Sequence, residues 1–440
     1  MKGYLYFITF VATLGGFLFG FDTAVISGAE QSIQKLWNLN EIQHGFTVSI
    51  ALIGTVLGAL FGGFPSDRLG RKKTLFWIGV LYFISAIGSA LAGNWYAFIF
   101  FRLIGGLGVG ASSVAAPMYI SEISPANRRG RLVALFQFNV VFGILVAYLS
   151  NYLIQGAGES AWRWMLGVEG FPAFIFVILV PFIPRSPRWL IVKKGNIDEA
   201  RSIFKKLEPD QYEMEVQRII ETHKMHDQLA KKGRFFQKRY AFPILLAFLF
   251  AMFNQLSGIN AIIYYAPRIF QSAGLEAGSA LLSTAGIGFI NFIFTILAIN
   301  LIDRFGRRFL MLIGSIGLIA TLGMTALAFF LQIGGAVVAV SLFIYIAFFG
   351  FSQGTVIWVF ISEIFPNEVR ANGQALGSFT HWIMASFIAF IVPSAERIGF
   401  GPTFLFFSFM MILQLIFVIR IMPETKGVSL EELEERILKR

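Results

Sequence analysis

The chain has 440 residues, of which 56% are hydrophobic, 16% aromatic and only 14% charged, with a mean hydropathy of +0.70; ordinary soluble domains carry about 25% charged residues, so that class is excluded. Cys is absent, which removes disulfides, thiolate nucleophiles and Cys-ligated metals, and the four His (His44, His223, His226, His381) show no ligand spacing, so neither metal nor cofactor is expected. A net charge of +11 would suggest nucleic acid in a soluble protein, but short cytoplasmic loops of membrane proteins collect Lys and Arg, and the placement of the charge here predicts a lipid bilayer as the partner instead.

The first apolar run starts at Tyr4 and continues to about Gly28. That is too long for the apolar core of a signal peptide, so it is read as the first membrane span. With roughly 20 apolar residues per crossing, further spans fall at about 46–66, 74–92, 95–120, 132–154 and 163–184. After a polar stretch, six more follow near 241–266, 280–302, 309–331, 335–362, 374–395 and 402–422. Phe occurs 50 times and Gly 44 times, which fits lipid-facing aromatic surface together with small residues that let helices approach closely. The expectation is an all-α membrane protein of twelve transmembrane helices, arranged as an N-terminal six-helix half (1–184), a cytoplasmic linker (185–240), a C-terminal half (241–422) and a tail (423–440).

Basic residues follow the even-numbered spans: Arg68, Arg71, Lys72 and Lys73 after the second, Arg128, Arg129 and Arg131 after the fourth, Arg304, Arg307 and Arg308 after the eighth. The opposite loops carry few. Both termini and the linker are therefore expected in the cytoplasm. The linker holds 14 Lys/Arg against 8 Asp/Glu, with helical periodicity from Ile197 to Leu229, and reads as short amphipathic helices. His44, His223 and His226 read as solvated loop residues.

The two halves repeat one another. DRLGRK at Asp67 to Lys72 recurs as DRFGRR at Asp303 to Arg308, and SEISPANRR at Ser121 to Arg129 recurs as SEIFPNEVR at Ser362 to Arg370. Composition alone would not produce such a duplication, and parallel repeats of this kind bind substrate near the bilayer midplane. Asp67, Arg68, Arg71, Glu122 and Arg129, with Asp303, Arg304, Arg307, Glu363 and Arg370, read as a cytoplasmic latch of ion pairs. The alternative is that they only set topology. Exposed pairs contribute about 0 to 1 kcal/mol each, which suits contacts that break once per cycle.

At these residues the chain resembles the major facilitator superfamily and, within it, the sugar porter family. GFPSDRLGRKK (Gly63 to Lys73), QLSGINAIIYYAP (Gln255 to Pro267) and PETKG (Pro423 to Gly427) carry the resemblance together with the doubled signature above, across essentially the whole chain. The chain departs from the family at Arg185, where PRSPRWL replaces the usual PESPRWL, and at Ile299, which stands where a Gly normally opens the second DRxGRR motif. The resemblance implies the major facilitator fold, with two pseudo-symmetric halves.

Three ionised side chains lie well inside the expected spans: Asp22, Arg102 and Glu169. Counted from the expected span ends at about 1.5 Å per residue, all three sit roughly 10 Å below the outer boundary. Charges at such depth pair or line a water path. An Asp beside Arg⁺ favours ionisation and, away from it in an apolar site, protonation, so the set could act as a proton switch or persist as a permanent ion pair. The resemblance implies the switch: Asp22 falls in the family's FGxDTxVISG segment, where proton symporters carry Asp and facilitative members Asn; Arg102 matches its ion-pair partner, and Glu169 matches a helix 6 acid of the bacterial xylose symporter.

A sugar presents hydroxyls that donate and accept together with apolar faces, and so requires side-chain amides and an aromatic plate. Asn254, Gln255 and Asn260 flank Gly258 in the seventh span with Tyr264 a turn on, while Gln137, Asn291, Gly354, Trp358, His381 and Trp382 come from spans 5, 8, 10 and 11. Any one of these amides could be an interhelical hydrogen bond. The resemblance implies that the set contacts sugar, with Asn254, His381 and Thr355 differing from the usual residues.

The expected function is secondary active symport of a monosaccharide, pentose or hexose, with a proton by alternating access; the alternative is uncoupled transport of a sugar or polyol such as inositol. A sensor would be expected to carry a longer cytoplasmic tail, no catalytic constellation for an enzyme is visible, and the amide-rich seventh span suits polyols better than lipophilic drugs. No N-x-S/T acceptor occurs. A monomer in a bacterial inner membrane is expected.

Overall fold

The computed structural model describes residues 2–125, 128–207, 209, 211–229, 235–366 and 369–427, and among the described residues there are helices and no strand. Among the described residues, twelve helices are long and apolar enough to cross a bilayer: α1 Gly3–Leu36, α2 Glu41–Phe61, α3 Arg71–Leu91, α4 Trp95–Ile123, α5 Arg129–Ile154, α6 Gly158–Phe182, α7 Lys238–Ser272, α8 Ala277–Ala298, α9 Arg307–Phe330, α10 Gly335–Glu363, α11 Arg370–Glu396 and α12 Phe400–Arg420. In hydrocarbon every backbone N–H and C=O needs an internal partner, which helices supply within themselves.

Several spans outlast their apolar windows. The first continues past Gly28 to Leu36, and the seventh past Ala266 to Ser272. At about 1.5 Å per residue, helices of this length exceed a hydrocarbon core of about 30 Å, so their ends can carry polar residues that hydropathy alone assigns to loops. His44 is one of them and corrects the expectation of a solvated loop: it lies in the first turn of α2, fully buried. The side chains of His223 and His226 lie outside the described residues, as do residues 428–440 of the tail.

Three spans are interrupted. In α6 the helix stops at Gly167 and resumes at Gly170; in α10 it stops at Phe351 and resumes at Gln353; in α7 it stops at Leu256 and resumes at Ile259. The α7 break is built on Gly258, whose φ of +84° disfavours a side chain, and a Cβ there would come within 2.6 Å of the Phe407 ring. The Ser257 carbonyl at this break accepts from Tyr345 Oη at 2.9 Å, and Ser257 Oγ donates to the Asn254 carbonyl at 2.6 Å.

The chain forms two compact units. One comprises Met1–Asp22, Gly54–Ile144 and Leu166–Lys232. Within it, Gly143 allows α5 to approach the backbone of α1 at Phe17, the close crossing that small residues permit in lipid. Its polar portion carries the expected amphipathic helices, Ile197–Leu207 and Tyr212–Leu229, whose Ala200, Phe204 and Val216 are buried against Trp189, Leu190 and Ile191. The other unit comprises Thr23–Ile53, Leu145–Met165 and Gly233–Arg440, with a core that includes Phe250, Phe360 and Phe417; the rings of Phe250 and Phe360 stack at 5.1 Å.

Candidate functional site

In the first unit, α1 and α4 bring two charges together. Arg102 Nη1 donates to Asp22 Oδ1 at 2.5 Å and Nη2 to the Asp22 backbone carbonyl at 3.3 Å. Both side chains are 2% exposed. Gly105, nearly one turn beyond Arg102, keeps this approach open, since a Cβ there would crowd Ser85 and reach to 3.3 Å from Asp22 Oδ1. Glu169 sits at the interruption of α6, is 1% exposed, and interacts electrostatically with both Asp22 and Arg102. Its Oε1 has no hydrogen-bond partner. Two carboxylates thus face one guanidinium at a site closed to solvent, where uncompensated charge is costly. All three predicted residues are thus brought together.

In the second unit, the break in α7 displays the predicted amides. Asn260 Nδ2 donates to Gln255 Oε1 at 2.6 Å, Gln255 Nε2 donates to Asn254 Oδ1 at 3.1 Å, and Asn254 Nδ2 donates to the Gln353 carbonyl at 3.3 Å. Gln255 Nε2 lies 3.2 Å from both ring nitrogens of His381, so it faces the imidazole rather than one edge of it. That ring lies 5.0 Å from Trp358 and 4.8 Å from Trp382, the latter edge-on. Trp358 keeps 37% of its surface exposed, which leaves a ring available for an apolar sugar face.

Other predicted members stand differently. Asn291 accepts from Thr295 Oγ1 one turn along α8 at 3.5 Å. Tyr264 is only 2% exposed, and Gly354 approaches the Phe349 ring. Gln137 lies half-buried on α5 in the first unit.

Each unit also carries an ion-pair cluster built from the residues expected to form a latch, and the two are built alike. In the first, Arg71 binds Asp67 at 3.1 Å and Glu122 at 3.0 Å, and Ser186 Oγ donates to Glu122. In the second, Arg307 binds Asp303 at 3.4 Å and Glu363 at 2.8 Å, and Thr425 Oγ1 donates to Glu363 at 2.6 Å. The Gly before each Arg, Gly70 and Gly306, has φ +89°, a region reserved for glycine. The remaining members stay local. Arg129 donates to the Ser121 carbonyl and Arg370 to the Phe365 carbonyl, while Arg68 and Arg304 lie over Phe64 and Phe305. The partner of each Glu is therefore the Arg of the DRxGR motif, not the Arg seven residues on.

Sequence reasoning missed one charged group. Glu30 and Arg268 lie beyond the expected spans at 4–28 and 241–266, yet inside α1 and α7, and they pair at 2.7 Å with His44 and Glu396 beside them. A helical reading continued past each apolar window would have placed both on spans.

Comparison with known proteins shows the family. The family model "Sugar (and other) transporter" matches residues 8–437. The D-xylose-proton symporter of Escherichia coli (strain K12) is 37% identical over 472 aligned residues, covering 98% of this chain and 96% of the relative. The arabinose-proton symporter of Bacillus subtilis (strain 168) is 35% identical, covering 99% and 96%. The solved inward open conformation of the xylose transporter XylE from E. coli superposes with a TM-score of 0.87 at 35% identity, covering 98% of this chain and 100% of that one. The chain belongs to the sugar porter family of the major facilitator superfamily. It is an integral membrane transporter, not an enzyme, with the twelve-helix, two-half fold of that superfamily.

Proposed function

We propose that the protein is a secondary active symporter that carries a monosaccharide, pentose or hexose, together with a proton by alternating access. The observation that supports this most directly is the buried Asp22–Arg102 pair with Glu169 beside it: three charged groups, away from solvent, whose charge balances on binding one proton. Similarity to relatives named as xylose- and arabinose-proton symporters supports the same reading. Sugar is bound in the second unit by Asn254, Gln255, Asn260 and Asn291, with Trp358, Trp382, Tyr264 and His381 as aromatic walls. The latches around Arg71 and Arg307 close the cytoplasmic face, and both termini lie on that side of a bacterial inner membrane. Residues 1–184 and 241–422 act as the two moving halves, the protein works as a monomer, and the coupling ion is H⁺.

The test uses purified protein in proteoliposomes. Candidate sugars are first ranked by ligand-induced thermal shift, since a ligand selective for the folded state raises apparent stability by mass action. For a sugar so identified, an imposed inward proton gradient should drive accumulation above the external concentration, and sugar entry should alkalinise the medium outside. Equilibration without accumulation would establish uncoupled transport instead.

A further inference from the structure

The charged cluster on α1, α2, α7 and α11 has no part in the mechanism above. Arg268 Nε and Nη2 donate to the two oxygens of Glu30 at 3.0 and 2.7 Å; Nη1 donates to Glu396 at 2.9 Å and Nη2 to Gln34 Oε1 at 2.6 Å. His44 Nε2 lies 2.7 Å from the same Glu30 oxygen, and both of these side chains are fully buried. Arg268 is 13% exposed. All three nitrogens of the guanidinium are thus engaged, in a setting where such pairs fix geometry tightly. Exposed surface pairs would not.

The position of the cluster gives it a consequence. Glu30 and Arg268 lie near the C-terminal ends of α1 and α7, His44 in the first turn of α2, and Glu396 at the C-terminal end of α11. Since α2 leads into the Asp67 motif and α11 follows the Glu363 motif, these ends face away from the latches. Arg268 also belongs to the second piece of broken α7, Ile259–Ser272, which carries Asn260. The two pieces of α7 are linked through Ser257 and Gly258 and by the Asn260–Gln255 hydrogen bond at the break, which leaves the far end of the second piece to be held by contacts from other helices. Nearby contacts bind the same helices: Tyr265 Oη donates to the Ala389 carbonyl at 2.8 Å, Arg397 pairs with Glu41 at 2.8 Å, and Gly45 allows α2 to meet the backbone of α11 at Phe390.

We propose that Arg268 is a positioning residue that fastens the second piece of α7 to α1 and α11 when the non-cytoplasmic face is closed, and that its release from Glu30 and Glu396 accompanies opening of that face to admit sugar. This rests on the transport reading and on its orientation. The cycle then has an ionic fastening at each face, and loosening this one shifts the balance toward the state open on the non-cytoplasmic side.

The absence of Cys allows a direct test. Ala261 is 2% exposed and lies on the same helix face as Arg268, seven residues deeper, so Ala261→Cys places a sole thiol beneath the fastening. Labelling of intact cells with a membrane-impermeant maleimide should be slow in this background, about tenfold faster with Arg268→Gln, and intermediate with Arg268→Lys, which keeps the charge without the fork. Sugar affinity of purified Arg268→Gln should stay within a few-fold of the parent. An Arg268→Gln protein that binds sugar normally and labels at the parent rate overturns the proposal. If that variant does not fold, Glu396→Gln decides on the same readout, since its carboxylate is already 29% exposed; faster labelling supports the fastening and an unchanged rate refutes it. Failure of the transport reading shows separately, as an Ala261→Cys parent without sugar uptake.

Discussion

Gln255 uses both ends of its amide: the carbonyl accepts from Asn260, and the amino group donates to Asn254 while facing His381. On the proposed reading, a sugar hydroxyl arriving here meets groups already aligned to donate and accept. Gln255→Ala removes the centre of that network, and Trp358→Ala removes the exposed ring. Each is expected to weaken sugar binding several-fold by isothermal titration, in line with about 0.5 to 1.5 kcal/mol per net hydrogen bond; two mutants binding like the parent would displace the site. Asp22, Arg102 and Glu169 were legible from sequence because depth along a helix can be counted from its ends. Glu30, His44 and Arg268 were not, because each lies at a span end where hydropathy has already fallen. Arg268 pairs with a residue 238 positions away, a distance no periodicity reports.

At the scale of the element, the break in α7 is the feature on which the amide set depends. Gly258→Ala demands φ +84° of a residue with a Cβ and pushes that Cβ toward Phe407, at a cost of about 1 to 3 kcal/mol. A lower melting temperature and weaker sugar binding are expected together, because Asn254 and Gln255 precede the break and Asn260 follows it. A variant with unchanged stability and affinity would show that the break is dispensable. The latches lead to a different separation. Arg71 reaches Glu122 across helices, whereas Arg129 reaches only the Ser121 carbonyl. Arg71→Ala should therefore slow transport clearly, Arg129→Ala less, and both should leave sugar affinity within a few-fold; equal uptake by parent and Arg71→Ala at matched expression would return that Arg to a role in topology alone. The doubled motifs were visible in the sequence. Ser186 and Thr425, which complete the two latches, were not singled out, although PRSPRWL and PETKG were, because nothing in either motif alone says which carboxylate its hydroxyl meets.

At the scale of the whole molecule, proton coupling requires that one buried group change its charge as the protein changes the face it opens. On the proposed reading Asp22 is that group, buried and paired with Arg102. Arg102→Ala should abolish accumulation by leaving carboxylates without their counter-ion in an apolar site. Asp22→Asn is the sharper probe, since it preserves size and hydrogen bonding while fixing the neutral form. The most direct measurement is sugar accumulation by Asp22→Asn proteoliposomes under an inward proton gradient, beside sugar binding by the same protein. The variant is expected to bind sugar within a few-fold of the parent and to fail to concentrate it; accumulation at the parental level would contradict coupling through Asp22.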